Sequence, residues 1–203
     1  MKLTELRQMP KRVFSLHELS MWTGQSAKRL SVDLDRWFKS GELIRFKAGV
    51  YGLKPMPGDS WITYSIARKL SQPSYVTDLT AMQHYSIPME GVTAIISAHL
   101  SRPVWYQNEV GNFEFRRMVP SRFNGWIEHW GRDGVYWMAT PEKAVLDYFY
   151  YRRKAWNPEW VEAELRPNIS DCRFEKDKFL AQAEQYPGWV LNGAKSFLEV
   201  AEK

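Results

Sequence analysis

The sequence predicts an α+β protein in two parts: a basic helix-and-hairpin unit over residues 1–57, and a larger unit over residues 60–203 with a small β-sheet bracketed by helices. Three observations carry this. Residues 15–53 order two helices and a hairpin around tight breaks. Pro55-Met56-Pro57-Gly58-Asp59 then stops regular structure and reads as a short, stiff linker. Beyond it, segments of strand period lie between well-capped helices.

Each element of the first part has a local cause. Ser15-Leu16-His17-Glu18 is a capping box that opens a short helix through about Trp22, and Thr23-Gly24 breaks it. Ser26 to Ser40 reads as a second helix stopped by Gly41. Glu42 to Phe46 and Val50 to Leu53 flank a tight Lys47-Ala48-Gly49 turn, as hairpin strands do. That order is a winged helix-turn-helix, whose usual ligand is duplex DNA. At about 100° per residue, Ala27, Leu30, Leu34, Trp37 and Phe38 form one stripe of the second helix, expected to pack inward. Gln25, Lys28, Arg29, Val32, Arg36 and Lys39 fall on the opposite arc, with Asp33 and Asp35 at its flanks. A solvated face explains such an arc in isolation. Arg45 and Lys47 on the adjoining hairpin favour a phosphate-facing surface instead.

Charge is sorted along the chain in the same sense. Residues 1–54 hold eleven basic and five acidic side chains, a net of +6, whereas the remaining residues hold 17 basic and 18 acidic ones. The whole excess of +5 therefore comes from the first quarter, as expected of a nucleic-acid-binding module.

The 203 residues, 44% apolar and 25% charged, have an ordinary globular composition with room for two domains. The polar N-terminus does not resemble a signal peptide, and no apolar run approaches the roughly 18–20 residues of a membrane span. Cys172 is the single cysteine, so neither an intrachain disulfide nor a thiolate metal cluster can form, and a cytoplasmic protein is the simplest expectation. Ten tryptophans and a 15% aromatic share are high and allow for surface committed to a partner or a dimer.

In the second part, Ser60 caps an expected helix through Leu70, and Thr77 caps another over about Asp78–Tyr85, with Pro88 beyond its end. Thr93–Ser97, Phe113–Val119 and Val135–Ala139 read as strands. Arg102 to Val110 is a further candidate that Pro103 excludes from the sheet centre. Thr140-Pro141-Glu142 and Asn157-Pro158-Glu159 start helices running to about Tyr151 and Arg166. Two more are expected around Glu175–Gln185 and Gly193–Glu202.

The stretch from Lys39 through Gly41, Arg45 and Gly49 to Tyr51 resembles the end of the winged helix in the AbiEi family. Those proteins are transcriptional regulators that act as antitoxins of type IV toxin–antitoxin systems. Tyr75-Val76-Thr77-Asp78-Leu79-Thr80-Ala81-Met82 and Ala139-Thr140-Pro141-Glu142-Lys143-Ala144-Val145-Leu146-Asp147 are similar to two landmarks of the family's C-terminal domain. The resemblance spans roughly residues 12–165. Ser86 departs from it, standing where a glycine would close the preceding helix, and Ala48 departs in the wing. The resemblance implies a repressor that binds inverted repeats in its own promoter, and a homodimer on that DNA fits this reading. It also implies a functional link to a nucleotidyltransferase-like toxin, not necessarily through stable contact.

No catalytic residue, metal site or cofactor is expected. No pair among His17, His84, His99 and His129 has the i, i+4 spacing of a helical metal site. Ser97 and His99 lack a nucleophile elbow, and a polar loop accounts for Glu128, His129 and Asp133. Gly131 to Gly134 lacks the strand–loop–helix context of a phosphate loop. A helix start explains Glu142, and a solvated helix end explains Arg152-Arg153-Lys154. Gln25, Ser26, Lys28, Arg29 and Val32 are the candidates for base edges, and Arg36, Lys39, Arg45 and Lys47 for phosphates. Two alternatives stand beside this reading: a winged helix that binds protein, and a nucleic-acid-processing enzyme in the second part.

Overall fold

A computed structural model describes residues 2–54, 63–87, 92–131, 134–170 and 172–202. The N-terminal unit contains α1 (Leu3–Leu6), β1 (Val13–Ser15), α2 (Leu16–Thr23), α3 (Ala27–Lys39), β2 (Leu43–Lys47) and β3 (Val50–Leu53). Its strands form an antiparallel sheet in the order β1-β3-β2, with Val13 and Ile44 both opposite Gly52. Gly49 turns the hairpin at φ +78°, a conformation costly for a residue with a Cβ. The first helix and first strand were not expected from sequence. Each is too short to display a period, and β1 runs directly into the capping box.

Period-two alternation buries both faces of this small sheet. Phe14, Leu43 and Leu53 pack with Leu6, Leu19, Leu30, Leu34 and Trp37 beneath the helices. Val13, Ile44, Phe46 and Val50 turn the other way and pack with Ile66, Ala67, Leu70, Phe113 and Phe115. The two parts of the chain therefore share a core. The linker read at Pro55–Asp59 lies outside the described residues, as does the expected cap Ser60.

The second part begins with α4 (Thr63–Leu70), β4 (Ser74–Val76), α5 (Asp78–His84), β5 (Ile95–His99), β6 (Val104–Asn108) and β7 (Gly111–Arg117). A 3₁₀ turn (Pro120–Arg122), β8 (Trp126–Gly131) and β9 (Gly134–Ala139) follow. Helices α6 (Pro141–Tyr151), α7 (Pro158–Glu164), α8 (Lys176–Ala183) and α9 (Gly188–Ala201) complete it. The sheet is larger than expected: six strands in the order β6-β7-β5-β4-β9-β8, with parallel pairs β5/β7 and β4/β9 and antiparallel pairs elsewhere. Strand β6 lies at an edge, consistent with Pro103 just before it. Two strands escaped the sequence reading: β4 is three residues long, and β8 occupies what read as a polar loop at Glu128 and His129.

Other differences are local. Ala27 is exposed and Phe38 is 41% exposed, so the inward stripe of α3 narrows to Leu30, Leu34 and Trp37. Helix α9 starts at Gly188, behind Pro187, and not at Gly193. Gly193 instead marks a close approach to α6, since a Cβ there would stand 2.7 Å from the Phe149 ring. Ser86 adopts φ +58°, so the backbone at this position has the left-handed form that glycine serves. Pro88 and Asp133 lie outside the described residues.

Candidate nucleic-acid interface

The α2–α3 corner is fixed by side chains of α2. Ser15 Oγ accepts from the Glu18 amide at 3.1 Å, and Glu18 Oε2 accepts from the Ser15 amide at 2.8 Å, which closes the capping box. Gly24 ends the helix at φ +68°. Ser20 Oγ donates to the Gln25 carbonyl at 2.7 Å, and Thr23 Oγ1 accepts from the Gln25 amide at 3.2 Å. The entry to α3 is thereby pinned one residue before its N-cap, Ser26, whose hydroxyl makes no cap bond and is exposed.

The other eight candidate residues fall into three environments. Lys28, Arg29 and Arg45 are exposed and make no ion pair with a described residue, while Val32, also on α3, is 70% exposed. Arg36 is held by Asp33 at 2.8 Å and lies 5.7 Å from the centre of the Trp37 ring. Lys39 is held by Asp35 at 2.7 Å. Gln25 is half-buried, and its Oε1 has no hydrogen-bond partner among the described residues. Lys47 donates from Nζ to the Leu70 carbonyl at 2.6 Å, so it caps the C-terminus of α4 and joins the hairpin to the second part. Arg45 shares a sheet face with Leu43, the face that carries the helices.

A second tie escaped the sequence reading. Glu18 Oε1 pairs with Lys69 of α4, and Lys11 lies 3.7 Å from the same oxygen. Burial raises the Glu18 carboxyl, but Lys69 and the Ser15 hydrogen bonds outweigh it, and the group titrates below its ordinary value. No local signal could reveal this, because Lys69 is 51 residues away in the chain.

Two motifs of the second part converge on a buried polar cluster. Tyr75 OH and Thr77 Oγ1 donate to Asp147 Oδ2 at 2.9 and 2.7 Å, and Lys143 pairs with Asp147 Oδ1. Lys143 also donates to Tyr186 OH at 2.9 Å. Burial pushes Asp147 up and Lys143 down, against their mutual attraction. Asp78, at φ +55°, holds Arg116 at 2.6 Å and Arg152 at 2.9 Å. The motif containing Tyr75, Thr77 and Asp78 and the motif containing Lys143 and Asp147 are thus physical partners, and their residue types are explained by burial and pairing.

The remaining polar residues of interest sit in ordinary structural settings. His99 Nδ1 lies 2.9 Å from Ser71 Oγ, and the buried Ser97 Oγ has no partner among the described residues, so the two do not form a nucleophile–base pair. Glu128 accepts from Trp137 Nε1 at 2.9 Å and His129 stacks on Tyr136. Glu142 is buried and accepts from the Glu175 amide at 2.8 Å, at the start of α8. Lys154 pairs with Glu164. Among the described residues no group of three or more His, Cys, Asp and Glu side chains could hold a metal ion. No helix among them is long and apolar enough to cross a membrane. No protein-family model matches the chain, and no curated protein matches it.

Proposed function

We propose that the chain is a sequence-specific DNA-binding repressor whose N-terminal unit acts as a winged helix-turn-helix. One observation carries this reading: the exposed face of α3 presents Lys28, Arg29 and Val32, and Arg45 of the neighbouring strand is likewise exposed and without an ion pair to a described residue. In this reading α3 enters the major groove with its N-terminal turns against the bases. Lys28 and Arg29 suit guanine, Gln25 suits adenine, and Val32 meets a thymine methyl. Arg36, Lys39 and Arg45 grip phosphates, the first two after releasing Asp33 and Asp35. The bound DNA would be inverted repeats in the chain's own promoter. The chain would serve as the antitoxin of a type IV toxin–antitoxin pair, a role that rests on the three ordered motifs alone.

The test is a fluorescence-anisotropy titration of the full chain against its upstream promoter fragment and against scrambled DNA. Preference for the promoter fragment supports the repressor reading, and equal affinity at matched salt removes sequence specificity from it. Whether the adjacent open reading frame encodes a nucleotidyltransferase tests the antitoxin role separately. A protein-binding winged helix is favoured by a different observation, the exposure of Met21 (74%) and Trp22 (43%) at the end of α2. That reading expects DNA affinity to be indifferent to Lys28 and Arg29.

A further inference from the structure

The buried cluster around Lys143 opens on one side. A cleft of about 480 Å³ is lined by Ser121, Arg122, Gly125, Lys143, Gln182 and Tyr186, with Asn124 and Gln185 at its margin. Two cations meet there, but among the described residues only one carboxylate, Asp147, lies against them, and it is already engaged by Lys143, Tyr75 and Thr77. Arg122 makes no ion pair with a described residue. Its guanidinium lies 5.1 Å from the Tyr186 ring centre and 5.4 Å from that of Tyr150, one Nη donates to the Gln185 carbonyl at 3.3 Å, and Nε has no partner among the described residues. Lys143 spends two of its three N–H groups, on Asp147 and Tyr186. Gly125 closes the loop over the lysine at φ +72°, where a Cβ would come within 3.1 Å of the Lys143 side chain. These residues build a cationic, donor-rich pocket one negative charge short of balance.

We propose that this cleft binds the phosphate group of a small phosphorylated molecule. The lining offers a guanidinium, an ammonium, a serine hydroxyl and side-chain amides, more donors than the two oxygens of a carboxylate can use and enough for the three free oxygens of a phosphate. The volume leaves room for an organic substituent beside the phosphate. The polar lining and the Tyr186 ring match a sugar or a base more closely than a lipid tail. The site is independent of the DNA-binding reading, because none of its residues belongs to the N-terminal unit.

Calorimetric titration of the full chain tests it, with inorganic phosphate, AMP, adenosine and acetate as separate probes at constant ionic strength. Saturable one-site binding of phosphate and AMP, with none of adenosine or acetate, is expected. Tighter binding of AMP makes the natural ligand a phosphate ester, and equal binding makes it free phosphate. Arg122→Gln should weaken binding about tenfold or more, whereas Lys195→Gln, which removes an exposed charge outside the cleft, should leave it unchanged. If Arg122→Gln fails to fold, Gln182→Glu decides, because it places a repelling charge in the cleft without removing a pairing partner. Absence of saturable phosphate binding overturns the proposal. So does acetate binding equal to phosphate, or retention of full affinity in the folded Arg122 or Gln182 variants.

Discussion

Lys28 and Arg29 differ from Arg36 and Lys39 in the work required before they can meet a ligand. The first two have no carboxylate to leave, whereas Arg36 and Lys39 must first release Asp33 and Asp35. An exposed ion pair on a helix is worth only a few tenths of a kcal/mol, so the penalty is small but has a definite sign. Arg29→Ala is expected to cost about 1–3 kcal/mol of DNA affinity and to relax sequence preference. Asp35→Asn should tighten binding slightly by freeing Lys39, and a titration at low salt reads both effects. Lys47 behaves differently, because its ammonium sits on the Leu70 carbonyl. Lys47→Ala is expected to lower the unfolding midpoint and leave the slope of log K against log salt unchanged. A slope reduced by about one unit would make it a phosphate ligand after all.

At the scale of elements, the buried Lys143–Asp147 pair joins α6 to β4 through Tyr75 and Thr77. Asp147→Ala strands a buried ammonium and should cost about 3–5 kcal/mol in denaturant unfolding. Lys143→Met combined with Asp147→Asn should cost less than Asp147→Ala alone, since no uncompensated charge remains. Gly193→Ala should destabilise by about 1–3 kcal/mol, because the Phe149 ring leaves no room for a methyl group. Two histidines set a pH dependence. Burial holds His99 below its ordinary value although the Arg102 backbone carbonyl favours its charged form, and burial with repulsion from His129 does the same for His84. Each is bound to a proton less readily in the folded chain than in the unfolded one. Their contribution is therefore complete above the unfolded value of 6.5 and is lost as pH falls below it. Thermal midpoints should fall on acidification from about pH 7 to 5, and His99→Gln should remove part of that fall.

Much at this scale was legible in the sequence. The caps Ser15, Thr140 and Asn157 each accept a backbone amide of the helix they open, whereas Thr77 holds the N-cap position of α5 without a cap bond and gives its hydroxyl to Asp147. What escaped has physical reasons. Strand β4 is too short to show alternation, and Gly193 reads as a boundary when it is a point of helix contact. Lys47 and Glu18 carry local roles in sequence, but they also reach partners in α4 that no spacing encodes. The charge arc on α3 was readable because helical period alone determines it. Which of its cations are already paired depended on side-chain reach, and so required coordinates.

For the whole molecule, the shared core means that the N-terminal unit is not an independent bead on a linker. Val13, Ile44, Phe46 and Val50 lie against Ile66, Leu70, Phe113 and Phe115, with the Lys47–Leu70 and Glu18–Lys69 ties at the margins. A fragment ending at residue 57 would expose those four side chains, and burial of each is worth about 1.5–3 kcal/mol. The fragment is expected to unfold at a lower midpoint than the full chain by calorimetry or circular dichroism. Glu18→Gln should weaken the same joint and lessen the loss of stability on acidification: a carboxyl held low when folded stabilises above its unfolded pKa and loses that contribution as pH falls through its folded value. Orientation of α3 relative to the larger unit is thus a property of the intact chain.

Contact between duplex DNA and the exposed cations of α3 and β2, as proposed, is tested on the full chain with Lys28→Ala and Arg29→Ala combined. Binding to the upstream promoter fragment, titrated at several salt concentrations, should weaken by more than about tenfold. Its preference for that fragment over scrambled DNA should fall as well, because both side chains are assigned to base edges. A folded double variant that binds with the wild-type affinity and preference would rule out DNA contact by these side chains.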